Sequence, residues 1–434
     1  MRERRTLRSI AGPLGLACAS MLIADVASAT EGYFQNGIGA RHKALAGAGV
    51  ADANDPTATP LNPAGLVNSE HGLDLALSLF APDRGFTGSG GPGFTPSGEI
   101  DGNETSVFLV PDIAYSRAFG ENGAIGLSLD GNGGMNTDYA AVANPACAAP
   151  GVPAPNGVFC GGEAGVDLVQ AFIYAAYAHD FDGFSVGVAP VFALQAFEAK
   201  GLAAFGGITS DPANLTNNGQ DVSTGFGLRL GAHFDVSDQF RIGASYQTEI
   251  NMSEFDDYAG LFEGGGDFDI PANYQIGVAF DATEDLTVML DYRYIAYSDI
   301  ASIANPMTTP LPLGSSGGPG FGWDDVGAWK LGAEYDAGNG WTWRGGISFN
   351  DNPVSSGSAT FNILAPGVVT QHYTAGFEKQ INDTQSVQLA LMYAPEDTVN
   401  GIEITPAGPN PGHNIELRMD QLELTVGWTF KFGR

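Results

Sequence analysis

The sequence predicts an all-β fold, a transmembrane antiparallel β-barrel of about fourteen strands. Apolar and polar residues alternate with a two-residue period along many segments, and short turns alternate with long loops between them. No run of 18 or more apolar residues follows the N-terminal segment, so no transmembrane helix is predicted. A soluble β-sandwich has no reason to keep this strict alternation of connections, and the barrel is therefore favoured.

The alternation is clearest at the C-terminal end, in residues 421–432. Leu422, Val426 and Trp428 share one face of the predicted strand, while Glu423 and Thr425 belong to the other. Such a period is typical of a strand that meets two different environments on its two faces. We expect the apolar face to contact lipid.

The same pattern predicts all the strands of the barrel wall. They lie near 73–81, 104–119, 124–132, 165–180, 184–199, 221–235, 240–257, 268–281, 286–299, 323–335, 341–350, 368–380, 386–395 and 415–432. Aromatic residues near strand ends are expected to form interfacial girdles, and they are Tyr246, Tyr297, Trp323, Trp329, Tyr335, Trp341 and Tyr393.

Residues 1–29 have the features of a cleaved signal peptide. Arg residues are followed by an apolar stretch, and Ala27, Ser28 and Ala29 form a small-residue cleavage site. The chain is therefore predicted to be exported. For a β-barrel, export predicts the outer membrane of a Gram-negative bacterium.

The charge and the rare residue types exclude several functions. With 18 Lys and Arg against 49 Asp and Glu, the net charge of −31 opposes binding to nucleic acid. None of the six His lies beside a Ser in a catalytic pattern, and no complete nucleotide motif occurs, so neither an enzyme nor a cofactor is predicted. Calcium binding by the acidic loops stays open, although such loops are more often only solvated; the nearest acidic residues are Asp256, Asp257, Asp267 and Asp269.

Two cysteines, Cys147 and Cys160, lie in one long loop rich in Pro and Gly. Export would allow them to form a disulfide, but the sequence does not decide whether they do. A zinc site would need further ligands nearby, and no His lies between residues 72 and 178. No metal site is predicted here.

Residues 30–72 precede the first predicted strand and suit pairing in a sheet poorly. A small-residue run from Gly37 to Gly49 predicts a short helix around 41–53, and residues 54–66 contain three Pro. Because Pro lacks an N–H group, this stretch cannot add a central strand to the wall. From composition alone it is either a surface linker or a plug.

Several motifs in chain order closely resemble the FadL-type outer-membrane transporters, a family that includes the TodX-like branch. The resemblance rests on Gly37–Gly49, Asp52–Asp55, the sequence Asn62-Pro63-Ala64-Gly65-Leu66, and the stretches 131–139, 271–274, 291–294, 322–325 and 361–366. It implies a monomeric barrel at 73–434 with an N-terminal hatch at 30–72 folded inside its lumen as a plug. The hatch includes Asn62, Pro63, Ala64 and Gly65.

The resemblance also implies an inward kink in the third strand that opens the wall laterally. Gly131, Gly133 and Gly134 are the kink candidates, since glycines suit a bulge or a break in a ladder. The alternative is that these glycines simply begin the following loop.

The function implied by the resemblance is passive uptake of hydrophobic compounds, with long-chain fatty acids expected first. Aromatic or aliphatic hydrocarbons, or general porin diffusion, are the alternatives. Outer-membrane lipid and lipopolysaccharide are the expected surroundings. Apolar residues in polar loops are expected to capture substrate, unless they only pack against their own loops; they are Leu202, Phe205, Ile208, Leu215, Leu261 and Phe262. Lys330 and Arg344 are predicted either to meet a substrate carboxylate or to form lumenal ion pairs.

Overall fold

The protein is described from a computed structural model, which places residues 31–148 and 153–432. The predicted signal peptide, residues 1–29, lies outside the described residues. Within the described part of the chain, no helix is long and apolar enough to cross a lipid bilayer.

Sixteen antiparallel strands form one sheet, and the last strand pairs with the first to close a barrel. Two strands, β2 and β9, are short additions, so the wall has fourteen strands as predicted. The strands are β1 Gly72–Gly90, β2 Gly98–Asp101, β3 Phe108–Ala118, β4 Gly123–Tyr139, β5 Ala164–Asp180, β6 Phe184–Lys200, β7 Asp221–Ser237, β8 Phe240–Gln247, β9 Asn251–Met252, β10 Asn273–Thr283, β11 Leu286–Ile295, β12 Val326–Gly338, β13 Trp341–Asn350, β14 Gln371–Asn382, β15 Gln385–Thr405 and β16 Gly408–Lys431.

The predicted faces of the wall are confirmed on β16. Leu422, Val426 and Trp428 are 48%, 50% and 44% exposed, whereas Glu423 and Thr425 are buried. The outer surface thus offers apolar side chains to the bilayer, and the polar alternates point into the lumen. The short turns and both ends of the wall, near Gly72 and Lys431, lie at one end of the barrel, and the long loops lie at the other. By the usual orientation of such barrels, these are the periplasmic and extracellular ends.

Several predicted boundaries and part of the predicted girdle are wrong. The strands expected over 73–81 and 124–132 continue to Gly90 and Tyr139. The expected loop at 396–414 is instead the end of a long hairpin, because β15 and β16 keep pairing to Thr405 and Gly408 beyond the shorter strands. The strand expected over 240–257 stops at Gln247. Tyr297 and Trp323 are buried rather than outward-facing, because Tyr297 follows β11 and Trp323 precedes β12, where the chain turns inward and packs on Tyr33.

Residues 31–71 precede β1, and most of them are buried within the ring of strands; we call them the hatch. The hatch contains two short helices, α1 Gly39–Ala44 and α2 Ala58–Leu61, and a 3-10 turn at Pro63–Asn68. The helix expected over 41–53 is therefore too long. It ends early because Ala46 and Gly47 adopt positive φ angles of 54° and 78°.

The Asn62-Pro63-Ala64-Gly65 sequence fixes the end of the hatch. Asn62 Oδ1 accepts the Ala64 N–H at 3.2 Å, and Asn62 Nδ2 donates to Val50 O and Ala232 O. Pro63 occupies the first position of the turn, where its missing N–H is not needed. Ser185 on β6 donates to Ala64 O at 3.0 Å, so this turn is attached to the wall.

Two further short helices lie in the extracellular loops and shape the site described below. They are α3 Glu263–Gly266 and α4 Ala301–Ala304.

Candidate functional site

An apolar cavity lies among the extracellular loops, and we call it the loop pocket. It encloses about 500 Å³ not filled by protein atoms, part of which is open to solvent. Ser302 and Gly320 are its only lining residues without an apolar side chain, and none of its lining residues is charged. The lining is Phe159, Val166, Leu202, Phe205, Leu215, Leu261, Phe262, Ser302, Leu313, Pro319, Gly320, Phe321, Phe361 and Leu364.

Aromatic contacts between loops distant in sequence build the walls of the loop pocket. The Phe205 ring meets Phe94, Phe159 and Phe361 edge to face, with centroids 5.5–5.8 Å apart. This geometry is favourable for aromatic pairs because the positive ring edge faces the negative ring face. Ordered aromatic walls of this kind can hold an apolar ligand by contact and burial.

The structure brings together most of the predicted capture residues. Leu202, Phe205, Leu261 and Phe262 all line the loop pocket, as does Leu215. Ile208 instead lines a more open groove beside the pocket, together with Leu311. The groove and the pocket share Leu313, Pro319 and Phe361, so the two cavities are adjacent.

Three aromatic residues of the pocket lining were not predicted from the sequence. Phe159, Phe321 and Phe361 line the pocket, and a signal for two of them was present in the sequence. Phe159 directly precedes Cys160, and Phe361 opens one of the stretches that carry the family resemblance.

Cys147 and Cys160 form a disulfide, with Cα atoms 5.1 Å apart. The cross-link lies in the loop that carries Phe159, and both sulfur-bearing residues are buried. Asn144 donates to Gly157 O at 3.1 Å, which ties the two sides of this loop together again. The disulfide therefore braces one wall of the loop pocket.

Aromatic contacts continue from the loop pocket toward the hatch. Phe262 packs against Phe268 at 4.7 Å between centroids, and Phe268 lies 6.3 Å from Tyr33 of the hatch. Tyr33 in turn contacts Tyr297 and Trp323. A chain of apolar groups thus connects the pocket with the N-terminal part of the hatch.

Gly131, Gly133 and Gly134 lie inside β4, the third strand of the wall, rather than in a following loop. The pairing of β4 with β5 shifts register between Gly131 and Gly133, which leaves Asn132 as the extra residue of a β-bulge. Residues 130–135 are all buried, whereas exposed and buried residues alternate before them. This stretch is therefore withdrawn from the lipid-facing surface.

The pairing of β3 with β4 stops at the bulge. Asp112 and Asp130 form the last pair, although β3 begins at Phe108 and β4 continues to Tyr139. We call the opening between residues 107–111 and 131–135 the lateral gap. Five residues of a strand extend about 16 Å, so β3 and β4 lack backbone pairing over about that length of the wall.

The N-terminal residues of the hatch occupy the edge of β4 that β3 leaves unpaired. Phe34 bridges Gly133, Gln35 N–H donates to Asn132 O at 2.9 Å, and Gly134 N–H donates to Tyr33 O at 3.0 Å. A Cβ atom at position 133 would collide with the Tyr33 carbonyl oxygen, so this close approach requires glycine.

Lys330 and Arg344 lie away from the loop pocket, and both have protein partners. Lys330 Nζ is fully buried, pairs with the Glu31 carboxylate and donates to Asn36 O at 2.9 Å. Arg344 pairs with Glu334 at 2.6 Å and Glu378 at 2.7 Å. Of the two predicted roles, the structure places both residues in lumenal ion pairs.

Further ion pairs attach the hatch to several strands. Arg41 pairs with Asp52 at 2.5 Å within the hatch and with Glu334 of β12 at 3.0 Å. Lys43 pairs with Glu423 of β16 at 2.7 Å, and Arg241 of β8 pairs with Asp52 at 2.9 Å. Buried opposite charges at these distances hold the hatch in the lumen.

A second, polar cavity lies between the hatch and β4. Arg229, Arg293 and Asp130 line it together with hatch residues 35–38. Arg229 donates to Pro60 O and Gln247 Oε1, and no carboxylate of the described residues lies within 4.0 Å of its guanidinium. Arg293 does pair with Glu31, at 3.2 Å.

The acidic loop residues considered for calcium lie near α3. Within residues 31–148 and 153–432, no group of three or more His, Cys, Asp or Glu side chains is placed to hold a metal ion. Burial, together with the neighbouring Asp269 and Glu263 carboxylates, raises the pKa of Asp267 to about 6.

A closed barrel with an apolar outer face, a lumenal hatch and an apolar pocket in the loops defines a membrane-spanning transport protein. A family profile described as outer membrane protein transport protein (OMPP1/FadL/TodX) matches residues 20–419. The chain therefore belongs to this family of outer-membrane proteins that transport hydrophobic compounds, which are channels and not enzymes.

Solved structures show the same fold. The toluene transporter TodX of P. putida has a TM-score of 0.64 at 17% identity, over 92% of this chain and 99% of that chain. A FadL homologue of Pseudomonas aeruginosa has a TM-score of 0.65 at 16% identity, over 93% and 100%. The toluene transporter TbuX of Ralstonia pickettii has a TM-score of 0.62 at 19% identity, over 92% and 99%. A comparison with curated proteins finds no match.

Proposed function

We propose that the protein takes up uncharged hydrophobic compounds passively, with monoaromatic hydrocarbons as the main substrate class. The observation that carries this proposal is the lining of the loop pocket, which contains no charged residue. The Ser302 hydroxyl already donates to Asp267 O and accepts the Glu263 N–H at 2.9 Å. A substrate carboxylate in the loop pocket would lose its hydrogen bonds to water without gaining a hydrogen bond or an ion pair from the protein.

The fold shared with the toluene transporters TodX and TbuX supports this substrate class. The same fold in a FadL homologue keeps long-chain fatty acids as a second candidate. The specific observation that favours fatty acids is the polar cavity with Arg229 and Arg293, where a carboxylate could be received after the acyl chain has passed the loop pocket.

The proposed route begins in the groove that contains Ile208 and Leu311 and continues into the loop pocket. From there the substrate passes the aromatic contacts around Phe268 and Tyr33, and it leaves through the lateral gap into the bilayer. The bulge in β4 and the missing β3 pairs support this exit. In this proposal the chain is exported by residues 1–29 and acts as a monomer surrounded by outer-membrane lipid and lipopolysaccharide.

A binding experiment separates the two substrate classes. Purified protein in lipid nanodiscs is titrated with toluene and with oleate, and the Arg229→Met variant is compared with the unmodified protein. We expect saturable toluene binding that Arg229→Met leaves within about twofold. Oleate binding at least about tenfold tighter than toluene, and lost in Arg229→Met, would instead establish the fatty-acid candidate.

The lateral exit is tested by locking the hatch N-terminus in place. Gln35 follows Phe34 and Asn132 precedes Gly133, so the antiparallel Phe34–Gly133 bridge places the two residues opposite each other. Gln35→Cys with Asn132→Cys should therefore form a disulfide. We expect the oxidised variant to lose hydrocarbon uptake into liposomes and a reductant to restore it. The unmodified protein, treated in the same way, reports any effect of reducing Cys147 and Cys160. Unchanged uptake in the locked variant would rule out the lateral gap as the exit.

A further inference from the structure

Arg84 is a buried arginine on β1 whose position the transport route described so far does not explain. Its side chain is fully buried, on the lumenal side of the wall. Within the described residues no carboxylate lies within 4.0 Å of its guanidinium, since no ion pair includes it. A buried charge without a counter-ion is costly unless hydrogen bonds satisfy it.

The guanidinium of Arg84 makes five hydrogen bonds, all to neutral oxygens. Nε donates to Asn136 O at 2.7 Å, and Nη1 donates to Pro82 O at 3.1 Å and to Asn103 Oδ1 at 2.9 Å. Nη2 donates to Thr105 O at 2.8 Å and to Asn136 Oδ1. An arginine has five N–H donors, so the group is saturated.

The acceptors lie on both sides of the lateral gap. Asn103 and Thr105 belong to the segment that leads into β3, and Asn136 belongs to β4. Asn136 directly follows residues 131–135, which do not pair with β3. On its other side, Asn136 donates a hydrogen bond to Asp167 of β5 at 2.9 Å. Arg84 therefore bridges the two edges of the wall just beyond the stretch over which their backbone pairing is missing.

The backbone contacts that support this bridge are few. Asn103 pairs with Asp138 in an isolated parallel bridge, and the Glu104 N–H donates to Asp138 O at 3.2 Å. In the same bridge the Asp138 N–H donates to Gly102 O at 3.0 Å, and the Thr105 hydroxyl donates to Asp138 Oδ2 at 2.9 Å. Below the gap, the β3 and β4 ladder begins only at Asp112 and Asp130. The extracellular end of the gap is thus closed by contacts to the single residue Asp138 and by the Arg84 side chain.

We infer that Arg84 is a latch that closes the extracellular end of the lateral gap and thereby limits the size of the compound that leaves through it. The inference rests on the lateral exit of the proposed function. Arg84 acts by positioning the two edges of the wall. Because its acceptors are neutral, the bridge can open and re-form without separating an ion pair. A longer gap would admit wider molecules.

The structural part of this inference is tested without transport. Met135, which is buried beside the gap, is replaced by Cys, and its reaction with a maleimide dissolved in the bilayer is timed in liposomes. Cys147 and Cys160 are bonded to each other and do not react. Adding Arg84→Ala should speed the reaction at least about tenfold, which corresponds to a loss of ~1.4 kcal/mol in the free energy that favours the closed gap. Arg84→Lys, which keeps the charge without the planar fork, should give a smaller rise.

A matched control distinguishes the latch from general loss of stability. Lys379 lies on β14, several strands away from the gap, where its ammonium group donates to Asn339 O at 2.6 Å and packs over the Trp341 ring. Lys379→Ala should leave the Met135→Cys reaction unchanged. An equal rise in both variants, or no rise with Arg84→Ala, overturns the inference. If Arg84→Ala does not insert, Asn136→Ala removes one acceptor and should raise the rate in the same direction.

Uptake then tests the size limit. In liposomes, the ratio of two-ring to one-ring hydrocarbon uptake should rise at least about threefold with Arg84→Ala and stay constant with Lys379→Ala. If the unmodified protein takes up neither compound while the Met135→Cys rate still depends on Arg84, the proposed function fails and the latch stands. If uptake occurs with an unchanged ratio and an unchanged rate, the latch fails and the proposed function stands.

Discussion

The extracellular and the hatch parts of the lumen are built from different interactions. The loop pocket is lined by aromatic and aliphatic side chains, with no charged residue. The hatch is attached by buried ion pairs from Glu31, Arg41 and Lys43 to the wall. Apolar contact is non-directional, so a ligand can enter or leave the loop pocket without breaking a specific polar contact. Paired charges have demanding geometry and resist displacement. The comparison indicates that one part of the lumen is built for exchange and the other for retention.

The largest effect is expected where the hatch is held. Arg41→Met removes one cation and leaves Asp52, Asp55 and Glu334 without it. Removing one partner of a buried ion pair typically costs ~3–5 kcal/mol. We therefore expect the hatch to leave the lumen in part of the molecules. Liposome swelling in small sugars should rise several-fold above that of the unmodified protein.

The control for this prediction is Arg418→Met, because its partners Asp83 and Glu99 lie outside the hatch and are 54% and 70% exposed on their side chains. Exposed ion pairs contribute ~0–1 kcal/mol, so no leak is expected. Swelling that stays at the unmodified level in Arg41→Met would show that the hatch does not depend on this ion pair.

The sequence predicts the wall of this protein much better than the contacts inside it. Alternation identifies which residues face the lumen, because that depends only on neighbours along one strand, as Leu422 and Glu423 show. Alternation cannot identify which residues contact each other across the lumen. Lys330 and Arg344 were placed in the lumen, but the sequence left open whether a substrate or a protein carboxylate met them. Lys330 meets Glu31, 299 residues away in sequence.

The site shows the same limit. Leu202, Phe205, Leu261 and Phe262 were recognisable as apolar residues in polar loops. Phe159 and Phe361 were missed, because only the packing of separate loops shows that their rings meet Phe205. The disulfide was left open for a similar reason, since two cysteines in one loop pair only if the loop brings them close enough. The hatch contacts of Gly133 depend on a segment almost 100 residues earlier and were equally unreadable.

The second prediction concerns the wall that carries Phe159. Cys147→Ser with Cys160→Ser removes the cross-link of a loop whose ends are 13 residues apart. A disulfide closing a loop of this length contributes ~3 kcal/mol in the chain-entropy description. We expect faster hydrogen exchange in residues 153–162 and weaker toluene binding. The exchange of the β15 and β16 ladder serves as the internal control, and equal acceleration there would indicate general unfolding instead.

A third, smaller effect is expected for the aromatic wall of the loop pocket. Phe205→Ala removes a ring that contacts Phe94, Phe159 and Phe361. We expect toluene to bind about tenfold more weakly in nanodiscs, since the variant loses one aromatic wall. Leu422→Ala, on the lipid-facing surface, is the control and should bind toluene normally. Equal affinities in both variants would place the toluene site elsewhere in the barrel.

The smallest expected effect is a pH dependence of the loop pocket. Asp267 follows α3, accepts the Ser302 hydroxyl at its carbonyl oxygen and donates its N–H to Glu263 O at 3.0 Å. Burial raises its pKa to about 6, with Asp269 and Glu263 acting in the same direction. Because the folded loop favours the protonated form, this contribution to stability is present below the ordinary Asp pKa of about 3.9 and is lost as the pH rises through about 6.

Toluene should therefore bind slightly more tightly at pH 4.5 than at pH 7, by less than about threefold, because α3 holds Phe262 in the pocket lining. Asp267→Asn mimics the protonated carboxyl and should show the tighter binding at both pH values. Asp257→Asn, an exposed substitution in the same loop, should keep the dependence of the unmodified protein. A pH dependence that survives Asp267→Asn would mean that another group controls it. Its absence from the unmodified protein would mean that the pocket keeps its shape whatever the charge beside α3.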